Sequence, residues 1–372
     1  MRPYDMMELL TLREIKQATT DASCSAAVHV HVERAQVKPT RSGSEYVELK
    51  LADAGDHLVL RVWGDAPGFP AARGLPPGAF IAVEGEWASG TYGLEPRNWQ
   101  LRLLDDAERT GLLGGTPAMR EKQLRDYADI TSLTESITDP RLRGLCGMFL
   151  EEYGERFRRT GAAREYHHAR RGGLVEHVAQ MMRAAVALTA VYPGTNRDLL
   201  VAGVLFHDCG KLWENCYERE GFTMPHTEVG ELMGHIPMGI ELVNRLWRNL
   251  IESDATAWSG AVPANERVRL HLLHLIGAHH GDYQFGSPVL PRTPEAILLH
   301  HIDNIDAKLE MLADAYQTSA MLAPNVFERR RPLPGNPVRP LSVYELAGNV
   351  EPNDEAPVSE DGQGGQISSS AS

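Results

Sequence analysis

The residues of this sequence best suited to chemistry are His207 and Asp208, which follow the apolar run 199–206 and precede Gly210 and Lys211. A carboxylate at the end of an apolar segment is costly to bury unless a metal ion or a charged partner compensates it. Imidazole nitrogen together with carboxylate oxygen suits Mn, Fe, Co, Ni and Zn ions. The pair therefore predicts a buried divalent metal site, and with it a metal-dependent hydrolase.

Further candidate ligands lie in the same part of the chain, because 12 of the 15 histidines fall between His167 and His301. The candidates are separated by roughly a helix length, so the helices of a bundle could bring them to one point. The set expected for one ion is His177, His207, Asp208 and Asp303. A second ion would add His235, His279 and His280, with Asp208 as the bridge. Two ions about 4 Å apart can hold a phosphate and generate hydroxide between them.

The four cysteines lie outside this set and show no CxxC spacing. Their absence from the candidate ligands disfavours a closed structural zinc site, whereas a mixed nitrogen and oxygen set with open positions is typical of hydrolytic sites. Unpaired cysteines, and an N terminus without the pattern of a secretory signal, indicate a reduced, cytoplasmic protein.

Three residues are candidates for a direct catalytic role: Asp208, Lys211 and His168. Lys211 is one helical turn beyond His207, so its ammonium group could hold a phosphate oxygen or stabilise developing charge, unless it is a surface lysine. His168, with its neighbour His167, could protonate a leaving oxygen, although a packing or capping role fits equally well. Asp306 is the alternative to Asp303 and could instead orient a ligand histidine.

Six arginines and one glutamate occupy residues 156–171, just ahead of His177. Cations at this place could guide the phosphates of a polyanion towards the metal site. Of these arginines, we predict that Arg164, Arg170 and Arg171 bind nucleic acid. The alternative is an exposed, arginine-rich helix face with no ligand.

The N-terminal part of the chain has the pattern of a small β-barrel. Short alternating apolar runs, broken by turn residues, predict five strands at 27–32, 46–51, 58–63, 80–87 and 99–103. Five strands in about 80 residues favour an OB-fold, with an SH3-like barrel or half-sandwich as alternatives. The outer face of the second and third strands would carry Tyr46, Lys50, Arg61 and Trp63. Rings and cations on one face can hold a single strand, or can cover a domain interface.

Helical periodicity dominates after the barrel, with predicted helices at 174–191, 198–214, 231–251, 266–279 and 294–322. The fold class is therefore a small all-β barrel followed by an all-α domain. The predicted parts are a lead segment (1–24), the OB-fold domain (25–106), a helical connector (107–164), the helical domain (165–322) and a Pro-rich, acidic tail (323–372). The tail's composition predicts disorder, above all beyond residue 347.

The formal net charge of −13 argues against indiscriminate binding of nucleic acid, so a polyanion would need a local basic patch. No run approaches the roughly 18 consecutive apolar residues of a membrane span, which predicts no membrane partner. The sequence gives no indication of the oligomeric state.

The order of these residues, His, then His-Asp, then Asp, resembles the HD superfamily of phosphohydrolases. The resemblance sharpens to the YhaM-type 3′-5′ exoribonucleases, which join an N-terminal OB-fold to an HD domain. The strings that carry it include Gly173-Leu174 with His177, the run 207–211, Gly234-His235-Ile236, His279-His280-Gly281, Phe285-Gly286-Ser287-Pro288 and the run 300–308. It covers most of residues 165–310.

This resemblance implies a metal-dependent 3′-5′ exonuclease of single-stranded RNA, with single-stranded DNA as a further candidate substrate and Mn²⁺ as the expected ion. The residues themselves leave two other functions open. The first is an HD phosphohydrolase of small nucleotides or cyclic dinucleotides, because the metal site does not specify polymer length. The second is a non-catalytic nucleic-acid-binding regulator.

Overall fold

The N-terminal strands form one mainly antiparallel sheet that curls into a barrel in the computed structural model, which describes residues 7–20, 22–91, 93–253 and 258–342. The strands are β1 (Glu8–Leu10), β2 (Cys24–Pro39), β3 (Glu45–Ala52), β4 (His57–Trp63), β5 (Phe80–Gly90) and β6 (Gly93–Leu103). Their order is β4-β3-β2-β5-β6, and β4 lies beside β6 at the closure. All five predicted strands are present, and the order is consistent with an OB-fold.

The barrel core comes from the alternating face that the sequence predicts. Val47, Leu49 and Leu51 on β3 and Leu58, Leu60 and Val62 on β4 are all buried. Turns at 41–44 and 53–56 join β2 to β3 and β3 to β4. The second helix of the chain, α2 (Phe69–Arg73), is short and lies between β4 and β5.

The predicted lead segment is part of the barrel, because it contributes β1, parallel to β2, and α1 (Leu12–Ala18). Leu12 and Ile15 of α1 are fully buried in the barrel core. Thr11 and Glu14 form a capping box that starts α1. This Thr-x-x-Glu pattern is visible in the sequence and could have revealed the helix.

The helical part of the chain has ten helices among the described residues. They are α3 (Asp106–Leu113), α4 (Pro117–Glu135), α5 (Pro140–Phe157), α6 (Gly173–Val191), α7 (Arg197–Phe206), α8 (Lys211–Glu214), α9 (Glu228–Met233), α10 (His235–Ser253), α11 (Asn265–Ala278) and α12 (Pro294–Thr318). Asp139 caps α5 through the backbone N–H of Arg141, as the Asp-Pro sequence predicts.

Helices α4 and α5 are not a spacer, which corrects the interpretation of residues 107–164 as a connector. Ile130 of α4 and Leu145 and Phe149 of α5 are fully buried in the same core as α6, α7, α10 and α11. Helix α6 is long and apolar enough to cross a membrane by length and composition, but 56% of that window is buried inside the protein. This is the pattern of a core helix.

Two predicted helices are interrupted. The helix expected over 198–214 stops at Phe206 and resumes as α8 at Lys211, and the one expected over 231–251 is split at Gly234. Gly234 has φ +68°, a left-handed conformation that glycine adopts without strain. Both interruptions fall at predicted metal ligands, so the breaks place these side chains at helix ends.

Contacts divide the chain at residue 314, and the remainder, 315–372, is a separate unit. Its described part contains the end of α12 and a hairpin of β7 (Met321–Ala323) and β8 (Val326–Phe327). The prediction of a helix over 294–322 is therefore wrong after Thr318, and the residues that follow form a hairpin that was not predicted. The disorder predicted beyond residue 347 concerns residues outside those that the structure describes.

Candidate metal centre

Five histidines of the helical domain present their Nε2 atoms to a common interior space. In each of them Nδ1 lies within hydrogen-bond distance of an oxygen that can only accept, so Nδ1 carries a proton and, in the neutral ring that binds metal ions, the lone pair is on Nε2. The pairs are His177 with Asp306 (2.7 Å), His207 with the Val204 carbonyl (2.8 Å), His235 with Glu214 (3.0 Å), His279 with the Ile276 carbonyl (2.7 Å) and His280 with the Phe285 carbonyl (2.7 Å). This is how metal-binding histidines are oriented.

The first half of the centre contains His177, His207, Asp208 and Asp303. His177 Nε2 lies 3.3 Å from both His207 Nε2 and Asp303 Oδ1. Asp208 Oδ2 is 3.2 Å from His207 Nε2 and 3.9 Å from His177 Nε2. Four ligand-type atoms from three elements, α6, the end of α7 and α12, therefore surround one point. His177, His207 and Asp208 form a group that could hold a metal ion.

The second half contains His235, His279 and His280, with Asp208 shared between the halves. Asp208 Oδ1 lies 3.5 Å from His235 Nε2 and 3.6 Å from His279 Nε2, while His235 Nε2 and His280 Nε2 are 3.2 Å apart. The three histidines form a further group that could hold an ion. Asp208 thus faces one half of the centre with each oxygen.

Two buried atoms of the centre are orphaned. Asp208 Oδ1 and His279 Nε2 have no hydrogen-bond partner among the described residues, although both side chains are buried. A buried polar atom without a partner costs free energy unless something else satisfies it. A divalent cation would satisfy a carboxylate oxygen and an imidazole lone pair together, so the residues present fit a metal ion.

Close backbone approaches bring these elements together. A Cβ atom at Gly210, between Asp208 and α8, would lie 1.9 Å from the carbonyl oxygen of His235. At Gly203 on α7 it would lie 2.2 Å from the Leu275 side chain of α11. Glycine at both positions allows α7, α10 and α11 to converge. His207, His235 and His279 therefore surround the same interior space.

The carboxylates around His177 favour positive charge in the first half of the centre. Burial would lower the pKa of His177, but Asp303 and Asp306 outweigh burial and raise it to about 9. Burial would likewise raise the pKa of Asp208, but Lys211 and His207 hold it well below its usual value. Asp208 is therefore an ionised carboxylate in a buried position, which is the state that binds metal ions.

Lys211 reaches the centre, since its Nζ lies 2.6 Å from Asp208 Oδ2. Its side chain is 12% exposed, so it is not the surface lysine of the alternative interpretation. The first turn of α8 thus directs the ammonium group back to the metal centre.

His168 does not lie where a catalytic residue is needed, which corrects the prediction. Its ring is buried behind the first half, with Nε2 3.0 Å from Asp306 Oδ2, the oxygen that also accepts from His177. His168 has φ +46°, and this left-handed turn directs His168 and His167 to different places. The ring of His167 lies 5.8 Å from that of His177, and burial and the charge of Lys211 lower its pKa to about 4.

The arginines predicted to form a phosphate path are engaged inside the fold, which corrects that prediction. Arg170 pairs with Glu176 (2.6 Å) and Glu310 (2.7 Å). Arg164 donates to the carbonyls of Glu214, Met224 and Pro225, and Arg171 donates to those of Glu218, Arg219 and Gly221. Together Arg164 and Arg171 hold the segment after α8.

The barrel face carries the predicted ring pair, because Tyr46 and Trp63 are opposite each other on β3 and β4 with ring centroids 5.1 Å apart. The predicted cations Lys50 and Arg61 lie on the same face, but each is near a carboxylate, Glu33 at 2.8 Å and Glu48 at 3.4 Å. The register also brings Arg34 and Lys38 of β2 beside Lys50 and Tyr46. Sequence reasoning missed this pair because it did not extend the first strand beyond residue 32.

The residues that orient the ligands were mostly missed. Asp306 was recognised as an alternative to Asp303, and in the structure it accepts from His177 Nδ1 and from Gln180 Nε2 (2.6 Å). Glu214 and the carbonyl acceptors of Val204, Ile276 and Phe285 were not considered. A carbonyl leaves no signature in residue type, so only the helical spacing i−3 of the first two could have indicated them.

Comparison with known proteins agrees with this geometry. The family model of the HD domain matches residues 174–308, the stretch that contains both halves of the centre. The 3′-5′ exoribonuclease YhaM of Oceanobacillus iheyensis is 32% identical over 286 residues, 75% of this chain and 82% of the relative. The 3′-5′ exoribonuclease YhaM of a Geobacillus species is 30% identical over 279 residues, 74% of this chain and 80% of the relative. The chain therefore belongs to the YhaM family of HD-domain proteins.

Proposed function

We propose that this protein is a metal-dependent 3′-5′ exoribonuclease that hydrolyses terminal phosphodiester bonds of single-stranded RNA. The observation that carries the proposal is the carboxylate of Asp208, buried and ionised, with one half of a two-part ligand set at each oxygen. The family relatives named 3′-5′ exoribonuclease YhaM supply the polymer and the direction.

The ligands of the first ion would be His177, His207, Asp208 and Asp303. Those of the second would be His235, His279 and His280, with Asp208 again. Bound divalent ions, which we propose to be Mn²⁺, would supply an activated water and neutralise the phosphate. The mixed nitrogen and oxygen ligands are compatible with Fe²⁺, Co²⁺, Ni²⁺ and Zn²⁺ as well.

The chain's own residues hold and polarise this arrangement. Asp208 fixes the distance between the halves, and the hydrogen bonds at Nδ1 keep each imidazole lone pair directed inwards. The ammonium group of Lys211, 2.6 Å from Asp208, is placed to hold a phosphate oxygen and to balance charge that develops on it. His167, at the edge of the first half, is better placed than His168 to contact the leaving oxygen.

The barrel would bind the RNA strand at a second place, separate from the metal centre. Tyr46 and Trp63 offer ring faces on which bases can stack, and Arg34, Lys38, Lys50 and Arg61 track the phosphates. We place this activity in the barrel and the hydrolysis in the helical domain that holds the metal centre. Four free cysteines are consistent with a cytoplasmic location, which we also propose.

The test is the incubation of purified protein with 5′-labelled RNA, 5′-labelled single-stranded DNA and small nucleotides, each with Mn²⁺ or with EDTA. We expect RNA to shorten stepwise from the 3′ end with Mn²⁺ only. Asp208→Ala should reduce the rate by at least about 1000-fold, because both halves lose a ligand. Turnover of small nucleotides alone would indicate a phosphohydrolase, and RNA binding without any turnover would indicate a regulator.

A further inference from the structure

Two aromatic rings stand out from the surface beside the metal centre. Tyr283 is 61% exposed and Phe285 is 62% exposed, on a loop of residues 281–287 that directly follows the ligand candidates His279 and His280. We call residues 281–287 the aromatic loop. Exposed rings grouped at the edge of a functional site are typical of ligand-binding surfaces.

The aromatic loop is tied to the centre by a hydrogen bond. The backbone carbonyl of Phe285 accepts from Nδ1 of His280 at 2.7 Å, so Phe285 orients the imidazole with its backbone and exposes its ring to solvent. The hydrogen bond and the covalent bonds between the two rings set an upper limit on their separation. The Phe285 ring therefore lies no more than roughly 12 Å from His280 Nε2. A single nucleotide is therefore long enough to reach from the ring to the second half of the centre.

The loop is also held rigidly. Asp282 caps the 3-10 turn by accepting from the backbone N–H of Gln284 (3.1 Å), and its carbonyl accepts from Phe285 (3.1 Å) and Ser287 (3.2 Å). Gly286 takes the left-handed conformation, φ +85°, that ends the turn. The hydroxyl of Ser287 is buried, 3.1 Å from the carbonyl of Gly277 in α11. A ring on such a loop is presented at a fixed position and loses little freedom when a ligand stacks on it.

We propose that the aromatic loop, with Phe285 as its principal residue and Tyr283 beside it, stacks on the base of the terminal nucleotide and holds it over the metal centre. The inference rests on the proposed function. Stacking accepts every base because every base has a π-face, so the loop would hold the end of any RNA without reading its sequence. This is a binding site distinct from the ring pair of the barrel.

The experiment measures removal of the first nucleotide from two RNAs, one with an ordinary 3′-terminal nucleotide and one whose terminal ribose has no base. Phe285→Ala should lower kcat/KM on the ordinary RNA by about 5- to 100-fold, mainly through KM, and should not change it on the RNA without a terminal base. Phe285→Trp should restore activity. Affinity for Mn²⁺, measured by calorimetry, should be unchanged, because the carbonyl that orients His280 remains in every variant.

The matched control is Tyr192→Ala, since Tyr192 is 54% exposed at the end of α6. It should behave as the unaltered protein on both RNAs. Equal activity of Phe285→Ala and the unaltered protein, or an equal loss on both RNAs, would overturn the proposal.

If the unaltered protein leaves both RNAs intact, the exonuclease assignment fails. The fluorescence of an RNA with 2-aminopurine at its 3′ end then tests stacking alone. Quenching by the unaltered protein but not by Phe285→Ala supports the loop, and equal quenching rejects it.

Discussion

We propose that Asp306 organises the first half of the metal centre without binding the metal. Its Oδ2 accepts from His177 Nδ1 and faces His168 Nε2 at 3.0 Å, and its Oδ1 accepts from Gln180 Nε2. His177 is thereby fixed in rotation and in tautomer, and its lone pair is directed at His207 and Asp303. Asp306 is a positioning residue for the first half of the centre.

Asp306→Asn tests this role, because it keeps the size of the side chain but replaces one acceptor oxygen by a donor. We expect the affinity for Mn²⁺ to fall by about 10- to 100-fold, as is usual when a group that orients a ligand histidine is altered. Calorimetric titration of metal-free protein measures this, with thermal unfolding as a check on the fold. Asp106→Asn, on the exposed start of α3, is the control. Unchanged affinity in a folded Asp306→Asn protein would contradict the role.

At the scale of single residues, the sequence predicts ligand candidates well and their surroundings poorly. His and Asp in apolar segments at helix-length spacings are recognisable as ligand candidates, because burying them is costly unless a metal ion or a polar partner compensates them. In contrast, His167 and His168 are equivalent in sequence, and only the left-handed turn at His168 decides which ring lies beside His177. The arginines at 164, 170 and 171 were misinterpreted because composition does not reveal that buried carboxylates and loop carbonyls satisfy them.

At the scale of elements, the interruptions in two predicted helices are what position the ligands. Periodicity continues across residues 207–214, and Lys211, Leu212 and Glu214 all favour helix, so the break after Phe206 is not apparent from propensity. The tertiary reason is the contact of Gly210 with the carbonyl of His235, which fixes α8 against the start of α10. Gly210 and Gly234 were the available signals in the sequence.

Gly210→Ala should therefore displace α8 from α10, because the added Cβ would lie 1.9 Å from the His235 carbonyl oxygen. We expect a lower midpoint of thermal unfolding and weaker binding of Mn²⁺ to the half that contains His235. The matched control is Gly147→Ala on α5, where a Cβ meets nothing within 4 Å. That substitution should be neutral or stabilise by up to about 1 kcal/mol. Equal thermal midpoints and Mn²⁺ affinities for the two variants would show that the contact does not constrain the site.

At the scale of the whole molecule, the segment that follows α8 connects the metal centre of the helical domain to the barrel. Its Tyr217 and Phe222 pack against Ala52 of the barrel, and the Phe222 ring lies 6.3 Å from that of His31 on β2. Glu220 pairs with Arg109 of α3 at 2.7 Å. This segment follows directly on Asp208 and α8, so one continuous stretch of chain leads from the metal centre to the barrel. Sequence reasoning could predict the barrel and the bundle, each from its own periodicity, but not this contact between them.

The net charge of −13 makes the placement of the barrel decisive for a polyanionic substrate. We propose that the cations of the barrel face and Lys211 hold the phosphates. Arg164, Arg170 and Arg171 are engaged between elements of the helical part, whereas Lys38 and Lys50 pair with carboxylates on the outer face of the barrel. A strand held at both places is bound more tightly than at either one alone, provided that the two sites keep a fixed separation. The contact through Phe222 supplies that condition.

Phe222→Ala should consequently separate hydrolysis of polymer from hydrolysis of a small substrate. Loss of the buried ring loosens the barrel from the helices, so we expect kcat/KM on RNA to fall on the order of tenfold or more. Hydrolysis of bis(p-nitrophenyl) phosphate with Mn²⁺ should stay within about twofold of the unaltered protein, since none of the groups around Asp208 is altered. Leu270→Ala, at an exposed position of α11, should change neither rate. A parallel loss of both activities would mean that Phe222 supports the metal centre itself, and full activity on RNA would mean that the strand does not need the barrel held in place.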